Sequence, residues 1–272
     1  MSLTRPDPPN HFDDKIRLLF NSSSDEYASL FSDSARGANH SFRKRLALAL
    51  KMSSGINGSL LDFACGPGHI TRAIIRSGGF HRATLVDISP EMLNKARSNL
   101  VHDEVSGHPA EVDFVLANAF DFEQEPGVQF DLILILGLIA HTGRLDELLA
   151  KSKRMLAPNG GILLQSTLVD HLGTKIVRLV TRKRHFRKLG YWSNYYSLND
   201  IRDSCARNGM EVHSLERFCV GIPFGDRIWR RANFCIESRC EQWAEHNGSE
   251  ALFLIKSTAE LSKNPRGKPR GI

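Results

Sequence analysis

The stretch Leu60–His69, LLDFACGPGH, decides how the chain is read. Leu60 and Leu61 suit a strand buried on both faces, Asp62 and small residues close it, and Gly66 and Gly68 flank a proline. Glycine there admits φ > 0 and lets a ligand press against the backbone. A carboxylate at a strand end has to find a hydrogen-bond donor. The three demands converge on a small-molecule site at the carboxyl end of a parallel strand.

Working outward, short apolar runs alternate with helical patterns. SLLDFA (59–64), ATLVDI (83–88), EVDFVLAN (111–118), FDLILIL (130–136) and ILLQST (162–167) read as strands. Between them lie HITRAIIRSG, closed by Gly78 and Gly79, and SPEMLNKARSNL, with Ser89 as N-cap and Pro90 at the first helical position. RLDELLAKSKRML is a third helix, stopped by APNGG. SLNDIRDSCARNGM is a later helix capped by Ser197 or Asn199, and EVHSLERF (211–218) and ALFLIKST (251–258) are two closing strands. Apolar strands alternating with helices predict an α/β fold, a doubly wound and mostly parallel sheet covered on both faces.

The 272 residues carry a formal charge of +6 and a pI near 9.2, a basic but not extreme balance. Cys65, Cys205, Cys219, Cys235 and Cys240 are odd in number and hold no CxxC pair, which reads as reduced thiols and no metal site. The N-terminus has no apolar signal core. The longest apolar run, LILILGLIA, stops at nine residues, well short of the ~20 that cross a bilayer. A cytoplasmic protein is expected, with peripheral membrane contact left open.

In a doubly wound sheet, ligands bind beyond the carboxyl ends of the strands. Asp87 ends the second strand, where an acid accepts ribose hydroxyls. A dinucleotide fingerprint needs a third glycine, and Thr71 stands there. Asp62 would also repel a pyrophosphate in a partly desolvated cleft. A ligand with a cationic amine and sulfonium but no phosphate fits better, and S-adenosylmethionine is such a ligand.

LLDFACGPG resembles the first motif of the class I S-adenosylmethionine-dependent methyltransferases, with Ala64 where the first glycine is usual. LVDISPEML is similar to their second motif, LANAFDF to the adenine segment with Asn118 in place of its acid, and FDLILILGLIAHTG to the fourth-strand motif. MLAPNGGILLQST is similar to the turn into their fifth strand. The resemblance covers 56–168 and continues more weakly through 195–218. It implies a Rossmann-like, seven-stranded sheet and a methyl-transferring enzyme. It also implies a cofactor site of Asp62, Ala64, Cys65, Gly66, Gly68, Asp87, Ile88, Asn118, Ala119, Phe120 and Leu136.

Methyl transfer is an in-line displacement that needs alignment and desolvation above all. His141, after the fourth strand, is the candidate base; its other reading is a cap on the strand-to-helix turn. LGLIAHTG lacks the Asn/Asp-Pro-Pro-aromatic pattern of amino-methyltransferases acting on bases or glutamine, and there is no Pro-Cys nucleophile. A small-molecule or lipid-linked acceptor is favoured, nucleic acid disfavoured, and a non-catalytic cofactor-binding subunit is the rival.

Residues 171–195 hold seven Lys or Arg and no Asp or Glu. Leu172, Ile176, Leu179 and Val180 share one helical face, a pattern suited to an anionic membrane, a phosphorylated acceptor, nucleic-acid phosphates or a solvated cap. The expected organisation is a helical lid (1–55), the cofactor-binding core (56–168), a basic cap with late helix, sixth strand and helical insertion (169–250), a closing strand (251–258) and a disordered basic tail (259–272).

Overall fold

The computed structural model describes residues 9–22, 40–101, 111–189, 193–223 and 230–258, and side chains are described for 13–22, 40–100, 111–180, 193–223 and 232–258. The expected tail from 259 and the opening of the expected lid lie outside the described residues.

Two helices come first, α1 (Pro9–Ser22) and α2 (His40–Ser53). Strand and helix then alternate through β1 (Gly58–Phe63), α3 (His69–Arg76), β2 (Phe80–Asp87), α4 (Pro90–Val101) and β3 (Glu111–Leu116). β4 (Phe130–Ile135), the short α5 (Ile139–Thr142), α6 (Leu145–Met155) and β5 (Leu156–Thr167) follow. α7 (Leu172–Leu189) and α8 (Leu198–Arg207) lead into β6 (Met210–Phe218). α9 (Arg230–Arg239) and α10 (Glu241–Asn247) lead into β7 (Glu250–Ser257).

The seven strands form one sheet in the order β3-β2-β1-β4-β5-β7-β6. β1 to β5 are parallel, and β7 runs antiparallel between β5 and β6. The connections leave β1 and β4 in opposite directions across the sheet, which opens a crevice above their carboxyl ends. This is the doubly wound, mostly parallel sheet that the apolar runs predict.

Alternation along the strands sorts the core into two layers. Leu61, Phe63, Ile133, Ile135, Leu164 and Phe253 pack with Leu148 and Leu149 of α6 and Ile201 of α8. Leu60, Leu132, Leu134 and Leu163 pack on the other face with Phe42, Ala49 and Met52 of α2 and Ile70 and Ile74 of α3. The same parity puts Asp62 on the α2–α3 side.

The structure moves several boundaries. β2 begins at Phe80, three residues before the expected start, while β3 and β4 stop at Leu116 and Ile135. APNGG is not a turn between helix and strand but part of β5. Leu156 ends α6 in an extended conformation, Asn159 takes φ +63°, and the register against β4 slips between Phe130 and Leu132. Gly160 fits this irregularity because a Cβ there would sit 2.9 Å from the Ala157 carbonyl oxygen. Ser197, rather than Asn199, caps α8: its hydroxyl accepts the Asp200 N–H while the Asp200 carboxylate accepts the Ser197 N–H.

α7 leaves the sheet with its apolar stripe uncovered. Leu172, Ile176, Leu179 and Val180 are 70%, 42%, 84% and 65% exposed. Trp243 of α10, half-exposed, stands edge-on to His171 at the start of this helix, ring centroids 6.5 Å apart. Among the described residues no helix is long and apolar enough to cross a membrane.

Candidate functional site

The site grows from the end of β1. Asp62 is buried, and its carboxylate accepts a hydrogen bond from the Thr71 hydroxyl on α3. Burial pushes its pKa up to about 7; Asp87 adds to the rise, while Thr71 and the Arg45 guanidinium oppose it. Asp87, at the end of β2, is raised by burial against three backbone N–H donors. Two of them tie loops together, Gly66 N–H at 2.8 Å and Ser89 N–H at 2.9 Å. Ser89 is the expected cap of α4, its hydroxyl accepting the Met92 N–H.

The loop after β1 turns through three left-handed residues: Ala64 at φ +56°, Gly66 at +54° and Gly68 at +73°. The backbone at 64 therefore favours the glycine that the resemblance implies, and an alanine there is strained by roughly 1–2 kcal/mol. Gly68 takes the positive φ that the sequence reading expects, and has a packing reason besides. A Cβ at Gly68 would meet Leu100 of α4 at 2.8 Å, with Leu85 and Ala96 close behind, so this glycine also allows α4 to pack against the loop.

A narrow cleft, open to solvent, lies above this loop and beneath α2. Asp62, Ala64, Cys65, Gly66 and Leu136 line it together with Arg45. Burial pushes the Cys65 thiol far up, leaving it a small protonated lining group. The remaining expected residues lie beside the cleft along β2 and β3. Ile88 is half-buried between Asp87 and Ser89. The Ala117 N–H donates to the Asp87 carbonyl, fixing the exit of β3 against β2. Asn118 accepts the Phe120 N–H at 3.0 Å, Ala119 is buried in the core, and the Arg144 guanidinium lies 3.7 Å from the centre of the Phe120 ring.

His141 sits on α5 with its ring edge-on to Phe20 of α1, centroids 5.3 Å apart. Burial draws its pKa down to about 4, so the imidazole is neutral at physiological pH.

Two groups of residues were not foreseen. The first is Arg45, whose Nη1 donates to Gln165 Oε1 at 2.9 Å. Gln165 Nε2 donates to Glu250, which also accepts the Thr167 hydroxyl at 2.8 Å. In the sequence Arg45 belongs to HSFRKRLALALK and reads as one of several solvated cations; only the docking of α2 by Phe42 and Met52 turns it inward. The second is the face of α1 carrying Asp13, Phe20 and Asn21. Asp13 accepts from Asn118 Nδ2 at 2.7 Å, and Asn21 Oδ1 accepts the Ser89 hydroxyl at 2.6 Å. With Phe20 on His141, α1 reaches the ends of β2, β3 and β4. The 3.6-residue spacing of these positions was the signal available.

This donor set fits S-adenosylmethionine. Two buried carboxylates, both raised by burial, are relieved by a cation and by hydroxyl donors, whereas a pyrophosphate would meet like charge. Arg45 adds the counter-charge for a carboxylate at the same end of the cleft.

Comparison with known proteins agrees. The methyltransferase domain family matches residues 60–160. A ubiquinone biosynthesis O-methyltransferase of Nitrobacter winogradskyi is 26% identical over 187 residues, 67% of each chain. A ubiquinone/menaquinone biosynthesis C-methyltransferase of Rhodopseudomonas palustris is 36% identical over 113 residues, 41% of this chain and 43% of that one. Among solved structures, magnesium protoporphyrin IX methyltransferase from Synechocystis with bound S-adenosylhomocysteine superposes with a TM-score of 0.64 at 14% identity, covering 89% of this chain and 98% of that chain; the likeness is one of fold. Residues 60–160 carry a methyltransferase domain, and the seven-stranded fold around it is that of the class I S-adenosylmethionine-dependent methyltransferases. The chain is an enzyme of that class, and S-adenosylmethionine is its cofactor.

Proposed function

We propose that this methyltransferase acts on a small, ring-bearing acceptor linked to lipid and held at an anionic membrane surface. The observation that carries the reading is the uncovered stripe Leu172, Ile176, Leu179 and Val180, on a helix whose segment holds seven cations and no acid. Exposed apolar side chains in one row mark a contact surface, and the cations select an anionic one. α7 packs beside α1, the helix whose Asp13, Phe20 and Asn21 reach the strand ends around the site. The matched relatives are named for ubiquinone and menaquinone biosynthesis and for magnesium protoporphyrin IX, which supports a small ring-bearing acceptor. An otherwise cytoplasmic protein, peripheral at the membrane, follows from the same reading.

In this reading Arg45, Asp62, Ala64, Cys65, Gly66 and Leu136 hold the amino-acid end of the cofactor, and Asp87 with Ile88 holds the ribose. Asn118, Ala119 and Phe120 form the wall at the base, with Gly68 setting the distance of α4. The cofactor supplies an electrophilic methyl group on a sulfonium. α1 acts as a lid that excludes water from the cleft. In this reading His141, kept neutral by burial, takes a proton from the acceptor.

Titration calorimetry with S-adenosylhomocysteine tests the cofactor half. Asp87→Ala removes a charged acceptor whose hydrogen bonds are worth ~1.5–3 kcal/mol each, so affinity is expected to fall at least ~10-fold. Equal affinity in wild type and variant would remove Asp87 from the ribose.

A further inference from the structure

The corner where β3 ends contains an acidic side chain that comes from a different part of the chain. The sheet order β3-β2-β1-β4 sets the direction of an extended ligand. With its amino-acid end over β1 and its ribose at Asp87 on β2, its base has to continue over the end of β3. The side chain there, Asn118, is neutral, and both of its groups are engaged: Oδ1 accepts the Phe120 N–H and Nδ2 donates to Asp13. The strong acceptor of this corner is therefore the Asp13 carboxylate, reaching down from α1. Its Oδ2 takes the Asn118 amide, and its Oδ1 has no hydrogen-bond partner among the described residues.

We propose that Asp13 is a specificity-determining residue of the cofactor site, accepting the 6-amino group of the adenine from the lid. The inference rests on the S-adenosylmethionine reading above and adds what recognises the base. Three observations support it. Asn118 holds the carboxylate at 2.7 Å, which orients it toward the base wall. Arg144, stacked on the neighbouring Phe120 ring, keeps a positive charge beside it, while Asp14 and Asp121 lie on the repulsive side. Burial raises the Asp13 pKa in spite of the Asn118 bond, the condition of a carboxylate that one more N–H donor would stabilise. The consequence is a coupling: adenine is read only when α1 is down, with Asn21 on Ser89 and Phe20 on His141 completing the closure.

The rival role for Asp13 is a plain latch that holds α1 to β3 and never meets the base. Two ligands separate the roles: S-adenosylhomocysteine and its purine analogue with hydrogen in place of the 6-amino group. A site built to accept an N–H rejects the analogue lacking it, because the acceptor is left unpaired. Wild type is expected to bind the amino compound ~10-fold or more tightly than the analogue, the worth of one hydrogen bond to a charged group. In Asp13→Ala that ratio is expected to collapse toward one, and in Asp13→Asn, which keeps an acceptor oxygen, to fall in between. If Asp13→Ala weakens both ligands equally and leaves the ratio intact, Asp13 is a latch and the proposal is overturned. A wild type that binds neither ligand refutes the cofactor reading itself, a separate outcome visible before any variant is made. Circular dichroism of both variants confirms that the ratios refer to folded protein.

Discussion

The end of β1 and the helix α7 handle polarity in opposite ways. At β1 two carboxylates are buried and each is tied to donors: Asp62 to the Thr71 hydroxyl, Asp87 to the Gly66 and Ser89 amides. On α7 apolar side chains face water, Leu179 at 84% exposure, within a segment rich in unbalanced cations. Burying charge raises its free energy unless a ligand or donors offset it, and exposing leucine does the same unless a surface covers it. Each region is thus unfavourable alone, and each specifies what relieves it. The first fits a compact cation with sugar hydroxyls, the second an extended anionic apolar surface.

Removing charge from α7 should have the largest effect. Near an anionic bilayer each Lys or Arg contributes ~1 kcal/mol. Replacing Arg182, Lys183, Arg184 and Arg187 with Gln preserves helix propensity and should lower partition onto vesicles containing phosphatidylglycerol by about three orders of magnitude. Wild-type binding should also weaken with added salt. Cosedimentation that ignores both salt and the four substitutions would reduce α7 to a solvated cap, and the contrast with β1 would lose its functional meaning. Retention of short oligonucleotides in the same assay, without vesicle binding, would transfer the surface to nucleic acid.

How far these two regions could be read from sequence differs for a physical reason. The β1 loop is local: Asp62, Gly66 and the Ser89–Pro90 helix start are set by short-range turn and cap chemistry, and all are where the sequence puts them. The inner strands β1, β2, β4, β5 and β7 were legible because burial on both faces writes continuous apolar runs. The residues that close the site from outside were not legible. Arg45 and Asp13 lie on helices whose sequences look like ordinary amphipathic faces, and only packing onto the sheet shows which polar residue turns inward. APNGG reads as a turn because proline, asparagine and glycine signal one, whereas the pairing of Leu156 and Gly161 with β4 on either side makes it an irregularity within a continuous strand. The packing role of Gly68 was not legible, because the contact with Leu100 depends on where α4 lies.

A pH series sharpens the comparison inside the buried half, where Asp62 and His141 push in opposite directions. Asp62 rises from 3.8 to about 7, so the folded state holds its proton longer than the unfolded chain does. Its contribution to stability is present below pH 3.8 and is lost as pH rises through 7. His141 falls from 6.5 to about 4, so the unfolded chain binds the proton first. Its contribution is present above pH 6.5 and is lost as pH falls toward 4. The two slopes partly cancel in wild type. Asp62→Asn should unmask the histidine, giving stability that rises from pH 4 to 6.5, and His141→Phe should unmask the aspartate, giving stability that falls from pH 4 to 7. The aspartate arm amounts to roughly 4 kcal/mol and the histidine arm to roughly 3 kcal/mol for shifts of these sizes. Chemical denaturation at five pH values measures both. Parallel profiles in the two variants would show that neither group is buried as described.

The smallest effect concerns Ala64, and it tests whether the β1 loop is shaped for its ligand or merely tolerated. Ala64 holds φ +56° with a Cβ that this region disfavours, between Asp62 and the Gly66 amide that Asp87 accepts. Glycine adopts the same backbone without the steric cost but has more freedom to lose on folding. The steric relief, roughly 1–2 kcal/mol, exceeds the added entropy cost of ~0.4–1 kcal/mol. Ala64→Gly should therefore stabilise the fold slightly, by about 0.5–1 kcal/mol, visible as a shift of the urea midpoint at unchanged slope. Affinity for S-adenosylhomocysteine should stay within about twofold, because the loop's position is fixed by the Asp87 bonds and not by the methyl group. A loss of stability would mean that the alanine methyl packs against the cleft wall more favourably than its backbone strain costs. A loss of affinity without loss of stability would mean instead that Ala64 holds the ligand through its methyl group and not through the loop backbone alone.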